Sequence, residues 1–174
     1  MSVLTVLVVI GIVVYVIAQQ LLGSALRGKR LVLLPAILSV IGIADISSSN
    51  PGAADIGLLI ASGAIAIAIG VGLGVMMRLE RRNGYLWARL PKPGLWLWAG
   101  LIVSRLLISG IGDSVGAHVA AGSAAILLML GLNRAAQALV VVPRAIAAGI
   151  PFAPEKDGTV FGANWFSHAS AREG

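Results

Sequence analysis

The chain contains no cysteine. Disulfides, thiol redox catalysis and thiolate metal centres are therefore excluded. Charge is scarce as well. Asp, Glu, Lys and Arg make up 11% of the 174 residues, against roughly 25% in soluble domains. Histidine occurs only as His118 and His168. A zinc site wants more imidazole or carboxylate ligands than that. Bis-histidine haem needs a second ligand at matched depth, and Met76, Met77 and Met129 lie nearer the other end of their runs. No metal and no cofactor are expected. Gly70, Gly72 and Gly74 are no phosphate loop, because they lie inside an apolar run with no following Lys-Ser or Lys-Thr.

What the chain has in abundance is hydrocarbon. It is 58% hydrophobic, with a mean hydropathy of +0.95. Apolar runs cover residues 3–22, 31–46, 56–77, 94–111 and 115–132. A membrane-spanning helix needs about 20 such residues and no fewer than about 17. The second run is thus short, and the third is long enough to span with tilt. Pro35 is expected in the first turn of the second span, where a missing N–H is tolerated. Segments 47–52 and 110–114 are turns by composition. No basic residue precedes the first run, while Arg27, Lys29 and Arg30 follow it. That order is the reverse of a signal peptide, so an uncleaved span with an external N-terminus is expected.

Basic residues orient the bundle. Of thirteen Lys and Arg, twelve fall on one side of it, which the positive-inside bias makes the cytoplasmic side. Arg78, Arg81, Arg82, Arg89 and Lys92 form a basic, lipid-facing loop closed by Pro91 and Pro93. Asp45, Asp55 and Asp113 lie in or near the opposite turns, and Trp87, Trp96 and Trp98 meet the basic interface. The expected fold is an all-α polytopic transmembrane bundle of five spans, N-terminus out and C-terminus in, over residues 1–150. A polar cytoplasmic tail, 151–174, follows and rests on lipid through Trp165 and Phe166. Residues 135–150 read as a continuation of helix five beyond the membrane and then an interfacial piece, with a sixth span as the alternative. The net charge of +6 and pI near 10.8 would suggest nucleic acid in a soluble protein. In loops beside apolar spans they point instead to the lipid bilayer and anionic lipid headgroups, in a bacterial cytoplasmic membrane.

Two stripes of small residues recur every four positions: Ser62, Ala66, Gly70 and Gly74, and Gly112, Gly116, Ala120 and Ala124. Small residues at this spacing let helix backbones approach closely in lipid. The stripes read either as homo-oligomer faces, through Gly70/Gly74 or Gly112/Gly116, or as packing within the chain.

The candidate chemistry is a polar intramembrane cluster of Asp45, Arg105, Asp113 and His118. Arg105 lies about 16 Å into its span at about 1.5 Å per residue. An arginine at that depth normally has a partner or a wet cavity. One reading is a small site that binds an anion or shuttles a proton. The other is a structural ion pair of Arg105 with Asp45 or Asp113. Ser114 and His118 are also i, i+4, and Asp113 or Asp45 would complete a hydrolase-like trio. No nucleophile elbow surrounds Ser114.

Gly28-Lys29-Arg30-Leu31 running into Pro35, the Gly-rich run ending in Met77-Arg78, Asn83-Gly84 with Leu86-Trp87, and Leu97-Trp98 followed by Arg105 carry a resemblance. Over roughly residues 25–110 the chain resembles small bacterial integral membrane proteins of the CcdC-like family. The resemblance implies an association with cytochrome c biogenesis and no defined activity. Two classes of function remain. One is a non-enzymatic accessory or small transport component. The other is a membrane-embedded enzyme acting on a lipid or other apolar substrate, with Asp45, Asp113, Arg105 and His118 as its acid–base and anion-stabilising groups.

Overall fold

The structure is a computed structural model and describes residues 23–154 and 158–161. The first apolar run and the Trp165–Phe166 contact lie outside the described residues.

Among the described residues, four helices are long and apolar enough to cross a membrane. They are α1 (Gly28–Ser48), α2 (Ala53–Met76), α3 (Gly94–Ser114) and α5 (Ser123–Ala147). A short helix, α4 (His118–Ala121), precedes the last. The 21 residues of α1 or α3 reach about 31 Å at about 1.5 Å each, close to the ~30 Å hydrocarbon core. Their outer faces are hydrocarbon: Leu33, Ile37 and Val40 on α1, Leu106 and Leu107 on α3, and Leu139 on α5 are all more than half exposed. In water such a surface would aggregate; in lipid it is solvated. The chain is a multi-pass integral membrane helix bundle.

Helix α5 is the most buried of the four. It packs between α1 and α2, and α3 packs on the other side of α2. Glycine sets these approaches. A side chain on Gly70 would meet the Asn133 carbonyl, and one on Gly74 would lie 2.9 Å from Val140 Cβ. Between α1 and α5, a Cβ on Gly42 would lie 2.7 Å from Leu128 N and one on Gly131 would lie 2.8 Å from Ser39 N. The Ser62–Gly74 stripe is therefore covered by α5 of the same chain. The second stripe is not one face. Gly112 packs on Ala117 and Ala121, while Gly116 stands in a turn at φ +73°.

That turn moves the last span. Val115 ends α3, and Gly116 in the left-handed region lets the Ala117 N–H reach the Gly112 carbonyl at 2.7 Å. This is the Schellman way of ending a helix. The chain then folds back along α3 as α4 before α5 begins at Ser123. The expected span 115–132 is thus corrected to Ser123–Ala147. Residues 135–147 belong to the same helix, so no separate span exists there. Arg134 is carried inside α5, yet its guanidinium sits 5.6 Å from the Trp98 ring near the start of α3. Pro35 is likewise not in a first turn: α1 starts at Gly28 and runs through it.

The segment read as a basic loop is a β-hairpin. Strands β2 (Arg78–Arg82) and β3 (Tyr85–Arg89) pair antiparallel, and β1 (Ser24–Ala25) adds to the other edge of β3. Asn83 and Gly84 both have positive φ, 53° and 82°. A two-residue turn that matches the strand twist requires this, and Asn-Gly supplies it best. Alternation then sorts the faces. Leu79, Leu86 and Ala88 turn inward onto Leu26, Leu31, Val141 and Ala145. Arg78, Glu80, Arg82, Tyr85 and Arg89 turn outward and are exposed. Beyond α5, the chain returns under the sheet. The Leu86 N–H donates to the Pro151 carbonyl at 2.8 Å, the Ala153 N–H to the Leu26 carbonyl at 3.0 Å, and Phe152 is fully buried against Phe161.

The starts of α1 and α3 and the ends of α2 and α5 share the end of the bundle that carries the sheet. Arg27, Lys29, Arg78, Arg81, Arg82, Arg89, Lys92 and Arg144 gather there. Asp45, Asp55 and Asp113 belong to the opposite end.

Candidate functional site

Helix α4 has four residues and no means of holding itself together. A single turn is far below the length at which a helix is stable alone. Its N-cap is Ala117, which has no side chain to offer the first free N–H groups. Asp55 supplies the missing acceptor from α2. Its Oδ1 accepts the Ala120 N–H at 2.9 Å, and its Oδ2 accepts the Gly52 N–H at 3.1 Å, capping α2 itself. At the other end Arg105 takes the free carbonyls. Nη1 donates to Ala120 O at 2.8 Å, and Nη2 donates to Ala121 O at 2.6 Å and Gly122 O at 2.7 Å. A carboxylate thus meets the positive end of α4 and a guanidinium the negative end, the favourable sense at both. Irregular backbone at membrane depth persists only where protein satisfies it.

This arrangement corrects the expected cluster. The three hydrogen bonds of Arg105 go to main-chain oxygens, not to Asp45 or Asp113. Asp45 lies on α1, which packs on α5 and makes no substantial contact with α3. Asp45, Asp113, Ser114 and His118 are all exposed. The Ser114 hydroxyl donates to the carbonyl of Ile111, one turn back on its own helix. Ser114 ends α3 and His118 begins α4, with the Gly116 turn between them, so the i, i+4 relation on one helix is absent. No trio forms.

The chain matches no protein-family model, no curated protein and no solved structure. The site must be read from its own geometry.

A second polar group lies deeper, where α5 crosses α2. Asn133 and Gln137 are one turn apart and both buried. Asn133 Nδ2 donates to Ala66 O at 2.9 Å, and Arg134 Nη1 donates to Gln137 Oε1 at 3.2 Å. Among the described residues, Asn133 Oδ1, Gln137 Nε2 and the Nε of Arg105 have no hydrogen-bond partner. Arg144 repeats the carbonyl-capping device at the basic end, donating to Gly74 O at the end of α2.

Two cavities are prominent. One, about 390 Å³, is a hydrocarbon-lined groove between α1 and α5 that includes Leu31, Pro35, Ala138 and Val142. The other, about 310 Å³, lies beside the hairpin and is lined by Arg78, Glu80, Arg89, Pro91, Lys92 and Pro93. Neither is lined by Asp45, Asp55, Arg105, Asp113 or His118.

Proposed function

We propose that this chain is a non-enzymatic membrane component, an accessory or small transport protein, held with its basic end in the bacterial cytoplasm. The observation that carries the reading is the use made of Asp55 and Arg105. Both charges are spent on main-chain groups, Asp55 on α4 and the start of α2 and Arg105 on the α4–α5 junction, and the groups an acid–base mechanism would need are exposed on separate elements. General acid–base catalysis requires its groups within hydrogen-bond reach of one reacting centre. The polar group beneath the outer surface acts as a clamp on a folded-back segment. The CcdC-like resemblance belongs to this reading as an accessory role beside a biogenesis system. Gathered basic residues support the cytoplasmic placement of the sheet.

The test is complementation of a deletion strain with Asp45→Asn/Asp113→Asn/His118→Gln. An accessory or transport role that does not use these groups leaves complementation intact. Loss of complementation with unchanged amount and thermal stability in the membrane contradicts the proposal and favours an enzyme on a lipid or apolar substrate, since removing an acid or base costs roughly 10²–10⁴ in rate.

A further inference from the structure

Among the described residues the bundle is open on the α1 side. Helix α1 is the least buried of the four spans, and α5 is the one helix it packs on substantially. Beside that contact runs the groove of about 390 Å³. Small side chains line it on both helices, Ala36 and Ser39 from α1 and Ala135 and Ala138 from α5. Val32 and Leu139, which also border it, are 46% and 75% exposed. Pro35 and Pro143 face it from opposite helices. Neither has an N–H for the carbonyl one turn back, Leu31 for Pro35 and Leu139 for Pro143, and both of those residues belong to the groove.

The chain enters the bundle beside the basic end of this groove. Ser24 and Ala25 pair with Ala88 and Trp87 of β3, and the Leu26 N–H donates to the Leu86 carbonyl at 3.1 Å. Leu26 packs on the same buried side chains as Leu31, a groove residue. The apolar run at residues 3–22 directly precedes this anchored point. Only residues 23–27 separate it from α1, and so short a connection makes antiparallel neighbours of two helices. As a helix the run reaches about 30 Å at about 1.5 Å per residue, the length of α1.

We propose that the run at residues 3–22 returns along α1 as an antiparallel helix and seats in the α1–α5 groove. The two surfaces are matched in size. Ala36 lies eight residues beyond Gly28, and the same count back from Leu22 reaches Val14, in the bulky stretch Ile12-Val13-Val14-Tyr15-Val16. Large side chains there meet alanine and serine in the groove, and small residues at a helix contact let backbones approach closely in lipid. A groove filled in this way is a seat for a helix and not a pocket for a lipid or an apolar substrate, whichever class of function the protein has.

The chain has no cysteine, so cysteine pairs report cleanly in the full-length protein. Ala36→Cys is combined in turn with Ile12→Cys, Val13→Cys, Val14→Cys, Tyr15→Cys and Val16→Cys. Each pair is oxidised in native membranes with copper phenanthroline, denatured, and treated with a polyethylene-glycol maleimide that retards the chain on a gel for every free thiol. At about 3.6 residues per turn, a helix seated in the groove brings roughly one or two of the five within the about 7 Å between Cα atoms that a disulfide tolerates. Those pairs should lose the retardation while the chain runs as a monomer, and reduction should restore it. Val103→Cys, on an exposed face of α3, should give no such loss with the same five partners. Leu139→Cys, on the α5 wall of the groove, replaces Ala36→Cys if that variant does not accumulate. Two free thiols retained in every pair overturn the proposal, as does equal loss with Val103→Cys. A disulfide-linked dimer formed by Ala36→Cys alone means that a second copy occupies the groove, and overturns it equally.

Discussion

Asp55 and Arg105 never touch each other in this fold, yet they grip the two ends of one four-residue helix. Asp55 Oδ1 accepts from Ala120 N–H, and Arg105 donates to the Ala120, Ala121 and Gly122 carbonyls. The costly placement of an arginine within a span is thereby explained without a counter-charge. Main-chain oxygens, already aimed inward by the fold-back, replace water.

Glycine substitutions should separate three kinds of position. Gly70→Ala would drive a methyl into the Asn133 carbonyl and to 3.0 Å from Ala136 Cβ, so loss of the folded α2–α5 pair is expected. Gly116 has open space around it but φ of +73°, so Gly116→Ala should cost about 1–2 kcal/mol through backbone strain alone. Gly110 also has open space, with ordinary helical backbone. Gly110→Ala should leave stability unchanged or raise it by up to about 1 kcal/mol. Thermal melts in detergent rank the three, and equal effects would refute the distinction between contact and conformation.

The absence of cysteine makes single introduced thiols clean reporters of topology. Ser48→Cys, at the end of α1, should react with a membrane-impermeant maleimide in intact spheroplasts. Tyr85→Cys, beside the hairpin turn, should react only after the membrane is opened. The opposite pattern would place the basic end outside.

Asn133→Leu should be nearly silent. The change removes the 2.9 Å bond to Ala66 O but also the partnerless Oδ1. Intramembrane side-chain hydrogen bonds average about 0.6 kcal/mol, so a loss under about 1 kcal/mol is expected in thermal unfolding. A much larger loss would mean that Oδ1 has a partner in the folded protein.

Much of the bundle was legible because hydrocarbon is hard to disguise. The runs at 56–77 and 94–111 became α2 and α3 nearly residue for residue, since each is bounded by charge or by Pro and Gly. The last span was misplaced by eight residues at its start because Gly116 and Gly122 sit in a stretch of Ala, Val and Gly interrupted only by His118. At its other end Asn133 and Arg134 follow the apolar run and read as an exit from the membrane, whereas they face α2 and Trp98. The hairpin had a signal, Asn83-Gly84 between alternating residues; its basic content drew attention to charge in place of strand period. Asp55 was grouped with a turn and Arg105 with a carboxylate for one reason. Their partners are main-chain atoms of α4, and a sequence does not display which backbone groups a fold leaves unpaired.

The clamp on α4 is tested most directly by two double-mutant cycles read as thermal unfolding free energies in one detergent, Asp55→Leu with Arg105→Leu and Asp45→Leu with Arg105→Leu. If both side chains hold α4, releasing it once makes the second release cheap, so Asp55 and Arg105 should couple by about 0.5–3 kcal/mol, while Asp45 and Arg105 should be additive within about 0.5 kcal/mol. Additivity of Asp55 with Arg105, together with strong coupling of Asp45 to Arg105, would contradict the clamp and restore the ion pair in its place.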